Sequence, residues 1–402
     1  MQAATAAAPQ TLISQMDFSL PSSAEYVRSR QQVTFNPSGG STYGPNQSSI
    51  IRFHIAEGEA FMDPASVRLI FTVNNTNGTA ANLLRPVSDV PSCIFSRLMI
   101  KAGGQIVEDI ASYNAVSHMI QRTMNAHVVS DMEAEGFDGQ TIAGGDNIRV
   151  SLQPMSGLLQ QGKYIPLRYI SGLTLELTVA PANEWLGTAA SSSASFTITQ
   201  PELKCDLVQV DGQLAEQYAS YLLSSGPLPI VYSQYYVTTQ AIDSTATEFT
   251  INLARSCSKL QSIFFFMKSA DTETLLKANN LTSPGNENFS FNVQVGSKRF
   301  PLQDCTGFAE ARSKLAQAVG VHASSAHSLN IPQGAYRANT WIGAVDTEMC
   351  ALGAHLTGLD TRAGDLVTVQ MKNVSAVATS VTVVLLAQTI MNIRDNGVDI
   401  LD

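Results

Sequence analysis

Hydrophobic and polar positions alternate with period two along much of the chain. The runs SIIRFHI from Ser49, VRLIFTV from Val67 and FSRLMIKA from Phe95 read as half-buried strands. IRVSLQ from Ile148, LTLELTV from Leu173 and SFTITQPELKCDLVQV from Ser195 continue the pattern. After residue 226 it resumes in PIVYSQYYV from Pro229, EFTINL from Glu248, LQSIFFFM from Leu260, LVTVQM from Leu366 and SVTVVLLAQTI from Ser380. Phe264, Phe265 and Phe266 in succession predict a strand buried on both faces. Helical periodicity intervenes at only a few places. One is Ile110 to Met124, where Ile110, Tyr113, Ile120 and Met124 share a face. A second follows Asp211, a candidate N-cap, with a stripe of Leu214, Tyr218, Tyr221 and Leu222. A third carries Phe308, Ala311, Leu315 and Val319.

The order of these elements repeats. LMIKAGGQIVEDIASYNAVSHMI, from Leu98 to Ile120, runs strand, Gly103 turn, strand, helix, and FNVQVGSKRFPLQDCTGFAEARSKL, from Phe291 to Leu315, does the same around Gly296. Aligning Leu98 with Phe291 and Leu173 with Leu366 gives one offset of 193, which drifts to 184 when Thr197 is matched with Val381. Many short strands, long loops and a helix inserted midway predict an all-β fold with a few short helices: two tandem eight-stranded jelly-roll β-sandwiches. GPLPI, from Gly226 to Ile230, interrupts both periodicities and divides the chain. The expected units are an N-terminal arm at 1–30, a first roll at 31–225 and a second at 226–402. A polar loop is expected from the first helix to about Gly145, and an exposed loop from Gly320 to Thr347.

Composition narrows the function. At 402 residues the chain exceeds the usual size of one core. Charged residues make up only 14%, so the surface must be largely Ser, Thr, Asn, Gln and Ala. The net charge of −9 and the absence of Lys and Arg before residue 28 argue against direct nucleic-acid binding. Five dispersed cysteines, Cys93, Cys205, Cys257, Cys305 and Cys350, contain no CxxC pair and read as buried free thiols made in a reducing compartment. No secretory signal is evident, so the sequons at Asn77, Asn280, Asn288 and Asn373 are expected to stay bare.

Catalytic and metal signatures are weak. GLLQQGK, from Gly157 to Lys163, has the glycine spacing of a phosphate-binding loop, but Tyr164 replaces the required Ser or Thr and Pro166 opposes a following helix. DMEAEGFD supplies Asp131, Glu133, Glu135 and Asp138 as the only metal candidates, with Ile142 where a calcium loop needs Glu. His322 and His327 lack a nearby Cys or acidic partner, and His54, His118, His127 and His355 are scattered. No catalytic residue and no cofactor site is therefore expected, and the chain is read as a non-enzyme.

Four passages nevertheless resemble a known family. SSIIRFHI with SVRLIFTVN, SRLMIKAGGQIVEDIASYNAV, PMSGLLQQGKYIPLRYISGLTLELTV and VTVVLLAQTIMNIRDNGVDILD are similar to the double jelly-roll major capsid proteins of icosahedral double-stranded DNA viruses, in the polinton-like virus, virophage and giant-virus branch. The resemblance spans most of the chain, although this chain is compact beside large members. It implies a homotrimer forming pseudo-hexagonal capsomers in a virion shell. Neighbouring capsomers, penton and minor capsid proteins and an underlying lipid membrane are the implied partners. A tandem β-sandwich that binds carbohydrate or mediates adhesion is the alternative, and a cupin-like metalloprotein is a third class.

Overall fold

The computed structural model describes residues 26–56, 58–187, 191–224, 226–269, 281–321, 328–349, 357–375, 378–394 and 397–401. The strands are β1 Val27–Phe35, β2 Thr42–Tyr43, β3 Ile50–Ile55, β4 Phe61–Met62, β5 Arg68–Asn75, β6 Phe95–Ala102, β7 Gln105–Ala111, β8 Asn147–Leu152, β9 Ile165–Pro166, β10 Leu173–Val179 and β11 Phe196–Val210. Beyond a helix at Gly212–Ser224 come β12 Leu228–Ala241, β13 Phe249–Leu253, β14 Leu260–Ser269, β15 Ser290–Val295, β16 Lys298–Thr306, β17 Gly343–Asp346, β18 Val367–Lys372, β19 Ala378–Arg394 and β20 Gly397–Leu401.

Hydrogen bonding sorts them into four sheets. β1, β11, β5 and β8 lie side by side, facing a sheet ordered β3-β10-β6-β7. In the second half the orders are β12-β19-β14-β17 and β13-β18-β15-β16. Setting aside the short accessory strands β2, β4, β9 and β20, each half has eight strands among the described residues, and numbering them in chain order gives the same arrangement twice: 1-8-3-6 against 2-7-4-5. That arrangement defines a jelly roll. Apolar side chains point between the sheets with the expected period. In β10, for example, Leu173, Leu175, Leu177 and Val179 are buried while the intervening Thr and Glu are half-buried.

The repeat holds in element order, and the structure corrects its register. Gly103 N–H donates to Gly172 O at 3.3 Å, and Gly296 N–H donates to Leu366 O at 3.2 Å. Gly172 and Leu366 are therefore equivalent, and the offset there is 194 instead of 193. Leu366 is 43% exposed and lies outside β18, whereas Val367 matches Leu173 as the first inward side chain. A slip of one residue exchanges the two faces of a strand, so matching two leucines misled the alignment. Both turn glycines, Gly103 and Gly296, have φ of +56°, a region that side chains with a Cβ rarely enter.

Four further expectations change. Strand β7 runs through Ile110, so the first helix spans only Tyr113–Thr123. The acidic stretch expected as a loop is a helix, Ala126–Glu135, capped by Asn125, whose side chain accepts from His127 N–H at 3.0 Å. Its apolar face is little more than Val129 and Met132, too sparse to show as periodicity. Within the expected 320–347 loop lie a short helix, Ala335–Ala338, and β17, with Trp341 and Ile342 fully buried. Strand β1 starts at Val27 and contains VRSRQQVTF, whose polar residues hid it. Among the described residues no helix is long and apolar enough to cross a membrane.

The helix Tyr113–Thr123 and its counterpart Gly307–Val319 both leave the fifth strand of their roll, through a left-handed residue, Ser112 at φ +49° or Gly307 at φ +77°. Their burial differs. The second buries one stripe, Phe308, Ala311 and Leu315, whereas the first is buried from Tyr113 through Gln121. Its end also meets the other half of the chain: Asn330 N–H donates to Met124 O at 3.1 Å, and Arg122 Nη1 donates to Asn330 O at 3.4 Å.

Candidate functional site at the junction of the two rolls

The two rolls are joined through buried polar groups. In β7 the register against β6 shifts between Ile100 and Lys101, so that Ile100 faces Glu108 and Lys101 faces Ile106. This bulge turns Val107 and Glu108 inward together and leaves Ile106 49% exposed. Glu108 is fully buried. Its carboxylate accepts from Gly157 N–H at 2.9 Å, from Leu158 N–H at 3.4 Å and from the Ser156 hydroxyl. Burial pushes the Glu108 carboxyl up to about 7 against the opposing pull of these donors.

The segment with phosphate-loop spacing is the other side of this contact. Gly157–Gln160 forms one helical turn, contrary to the expectation drawn from Pro166. Ser156 caps it, accepting from Leu159 N–H at 3.3 Å. Its free N–H groups are aimed at the Glu108 carboxylate, which occupies the place an anion would take. A Cβ on Gly157 would stand 1.5 Å from Ser233 O in β12. The glycine is there because the backbones of the two rolls touch. Tyr232 Oη, also in β12, donates to Val107 O at 2.8 Å, and Lys163 Nζ donates to Pro229 O at 3.3 Å. Tyr232→Phe is expected to destabilise the chain by about 1 kcal/mol, since it strands a buried carbonyl acceptor. Urea unfolding of the two proteins measures it, and equal midpoints would contradict it.

A cleft of about 580 Å³ opens outward from the junction between Ile106 and Asp109 of the first roll and Gln234, Tyr236 and Arg255 of the second. Arg255 lies over the Tyr236 ring, 4.0 Å from its centre. No cluster of three metal-binding side chains occurs among the described residues.

The other candidates lie apart. Asp131, Glu133 and Glu135 are spread over the helix Ala126–Glu135, and Asp138 follows it at φ +48°. Glu135 pairs with Arg68 at 3.7 Å, and burial raises the Glu133 carboxyl, with Asp89 adding to the effect and Arg122 opposing it. His54 contacts Thr174 Oγ1 at 3.2 Å, and His127 is exposed. His118 is buried and pushed down to about 3, chiefly by burial and further by Arg122 and Lys268, so it is neutral. Cys93, Cys205, Cys257 and Cys305 are buried. His322, His327, His355 and Cys350 lie outside the described residues. Glu108 escaped sequence reasoning as a junction residue. The available signal was the inverted alternation of QIVEDIA, an isoleucine where a polar residue belongs.

No protein-family model matches the sequence, and no curated protein matches it. Solved structures do match. The structure of VP54 of PBCV-1, fitted into a reconstruction of the virophage Sputnik, aligns with a TM-score of 0.70 at 11% identity, covering 96% of this chain and 100% of that one. The major capsid protein of Faustovirus aligns with a TM-score of 0.65 at 8% identity, over 95% and 93% of the two chains. The chain has the double jelly-roll fold. A chain of the Sputnik virophage structure aligns over 98% of this protein with a TM-score of 0.61. Coverage of both chains is nearly complete in each case, so both rolls and the connection between them take part in the likeness. At such low identity what is shared is the course of the backbone.

Proposed function

We propose that the protein is a major capsid protein, a subunit that trimerises into pseudo-hexagonal capsomers of an icosahedral shell around double-stranded DNA. One observation carries this proposal: two rolls of identical strand order lie in one chain and are bound to each other by a buried polar junction. A trimer of such doubled units offers six similar blocks, which suits packing in a hexagonal net. The low content of charged residues supports this, since charge is depleted at the centre of protein interfaces. The proposed units are the arm at 1–30 and the rolls at 31–225 and 226–402, with the first roll carried back to Val27 by strand β1. The protein resides in the virion shell, contacts neighbouring capsomers, penton and minor capsid proteins and an underlying membrane, and has neither enzymatic activity nor direct contact with the genome.

Purified protein is expected to sediment at three times the 43.0 kDa chain mass and to show pseudo-hexagonal capsomers in electron micrographs. A monomer that persists at micromolar concentration and forms no shells would overturn the proposal.

A further inference from the structure

Beside the junction lies an apolar groove of about 430 Å³, within the range of built binding sites. Its walls come from both rolls and from the helix between them, and include Phe61, Tyr164, Leu214, Tyr218, Leu228 and Ile393. Tyr164 is 43% exposed, and Leu214, Tyr218 and Leu228 are only half-buried. Large apolar side chains facing one cleft in this way indicate an occupant.

Tyr26 also lines the groove, so the 25 residues before it join the fold at the groove's mouth. Most of that segment is Ala, Gln, Ser and Thr, yet LISQMDFSL brings Leu12, Ile13, Met16, Phe18 and Leu20 together. Phe18 is eight residues from Tyr26, a reach of roughly 26 Å when extended, which is ample for turning back into the groove. Charge agrees as well. The segment carries Asp17 and Glu25 and no cation, and the charged residue lining the groove is Lys163.

We infer that residues 12–20 of the chain's own amino-terminal segment dock in this groove, laying their apolar side chains against Tyr164, Leu214 and Tyr218. A tether this short holds the segment at an effective concentration in the millimolar range, so it outcompetes a second copy at micromolar protein. The inference rests on the groove and the tether and is independent of the proposed function.

The test uses the full chain with Phe18 replaced by the photo-crosslinker p-benzoylphenylalanine, in a population reassembled from equal parts of ¹⁴N and ¹⁵N chains. Mass spectrometry is expected to find crosslinks to peptides containing Tyr164 or Leu214–Tyr218, each within a single isotopic species. Leu214→Asp should lower the yield roughly tenfold without altering the circular dichroism spectrum, because it removes about one buried leucine from the contact. Tyr164→Ser, on another wall, should give a comparable loss. Crosslinks joining light to heavy chains would make a second copy the occupant and overturn the inference, as would crosslinks away from the groove or yields that neither variant changes.

Discussion

Gly157→Val is expected to destabilise the chain by roughly 3 kcal/mol, an effect at the upper end for overpacking a well-filled interior. The nearest atoms to the added Cβ are Ser233 O at 1.5 Å, Ser233 C at 2.7 Å and Ser233 N at 3.3 Å, all backbone. No rotamer change relieves such a contact. Either the short helix Gly157–Gln160 lifts away from β12, breaking the hydrogen bonds of Gly157 and Leu158 to Glu108, or β12 leaves its place beside β19. Gly162→Val supplies the control, because a Cβ there meets nothing within 4 Å, and it should stay within about 0.5 kcal/mol of wild type. Thermal and urea unfolding of both variants measure the difference. Equal stability would mean that the rolls are not in backbone contact at this point.

The second large effect is a dependence on pH carried by Glu108. Its carboxyl, at about 7 in the folded chain against an ordinary value of 4.5, holds a proton over a range where the unfolded chain has released it. The folded state therefore binds more protons between about pH 4.5 and 7, and stability falls as pH rises through that window. The full contribution is present below the lower value and lost above the higher one, a change of about 3 kcal/mol. Glu108→Gln keeps the shape and removes the titration. It weakens the contact at every pH, because an amide N–H₂ then faces donors, but its stability relative to wild type should improve between pH 5 and pH 8. Denaturant midpoints at those two values decide the matter, and parallel profiles for the two proteins would contradict it.

Much of the fold was legible in the chain because a sheet buried on one face imposes period two on its sequence. β3, β5, β6, β10, β13 and β18 each show that alternation, and the periodic runs match them within a residue or two. The strands that escaped lack such a face. β1 is exposed or half-buried along its length, and β17 is four residues long inside a loop-like stretch. The all-round burial of Tyr113–Thr123 was hidden for the opposite reason. Its sequence displays one apolar stripe, and the additional cover includes contacts of Asn114 with Glu184 and of Gln121 with Ser92, both distant in sequence.

Local periodicity and local backbone preference are enough to specify the strands that line each core, the turns at Gly103 and Gly296 and the existence of two related halves. How the halves meet is a property of the folded chain alone. Glu108, Gly157, Tyr232 and Ser233 are spread over two rolls, and no local pattern links them. What makes them a site is burial, and burial arises when distant segments exclude water from the same place. A glutamate that reads as a surface residue becomes the acceptor for a helix N-terminus, and a glycine that resembles a nucleotide motif becomes the point where two backbones touch.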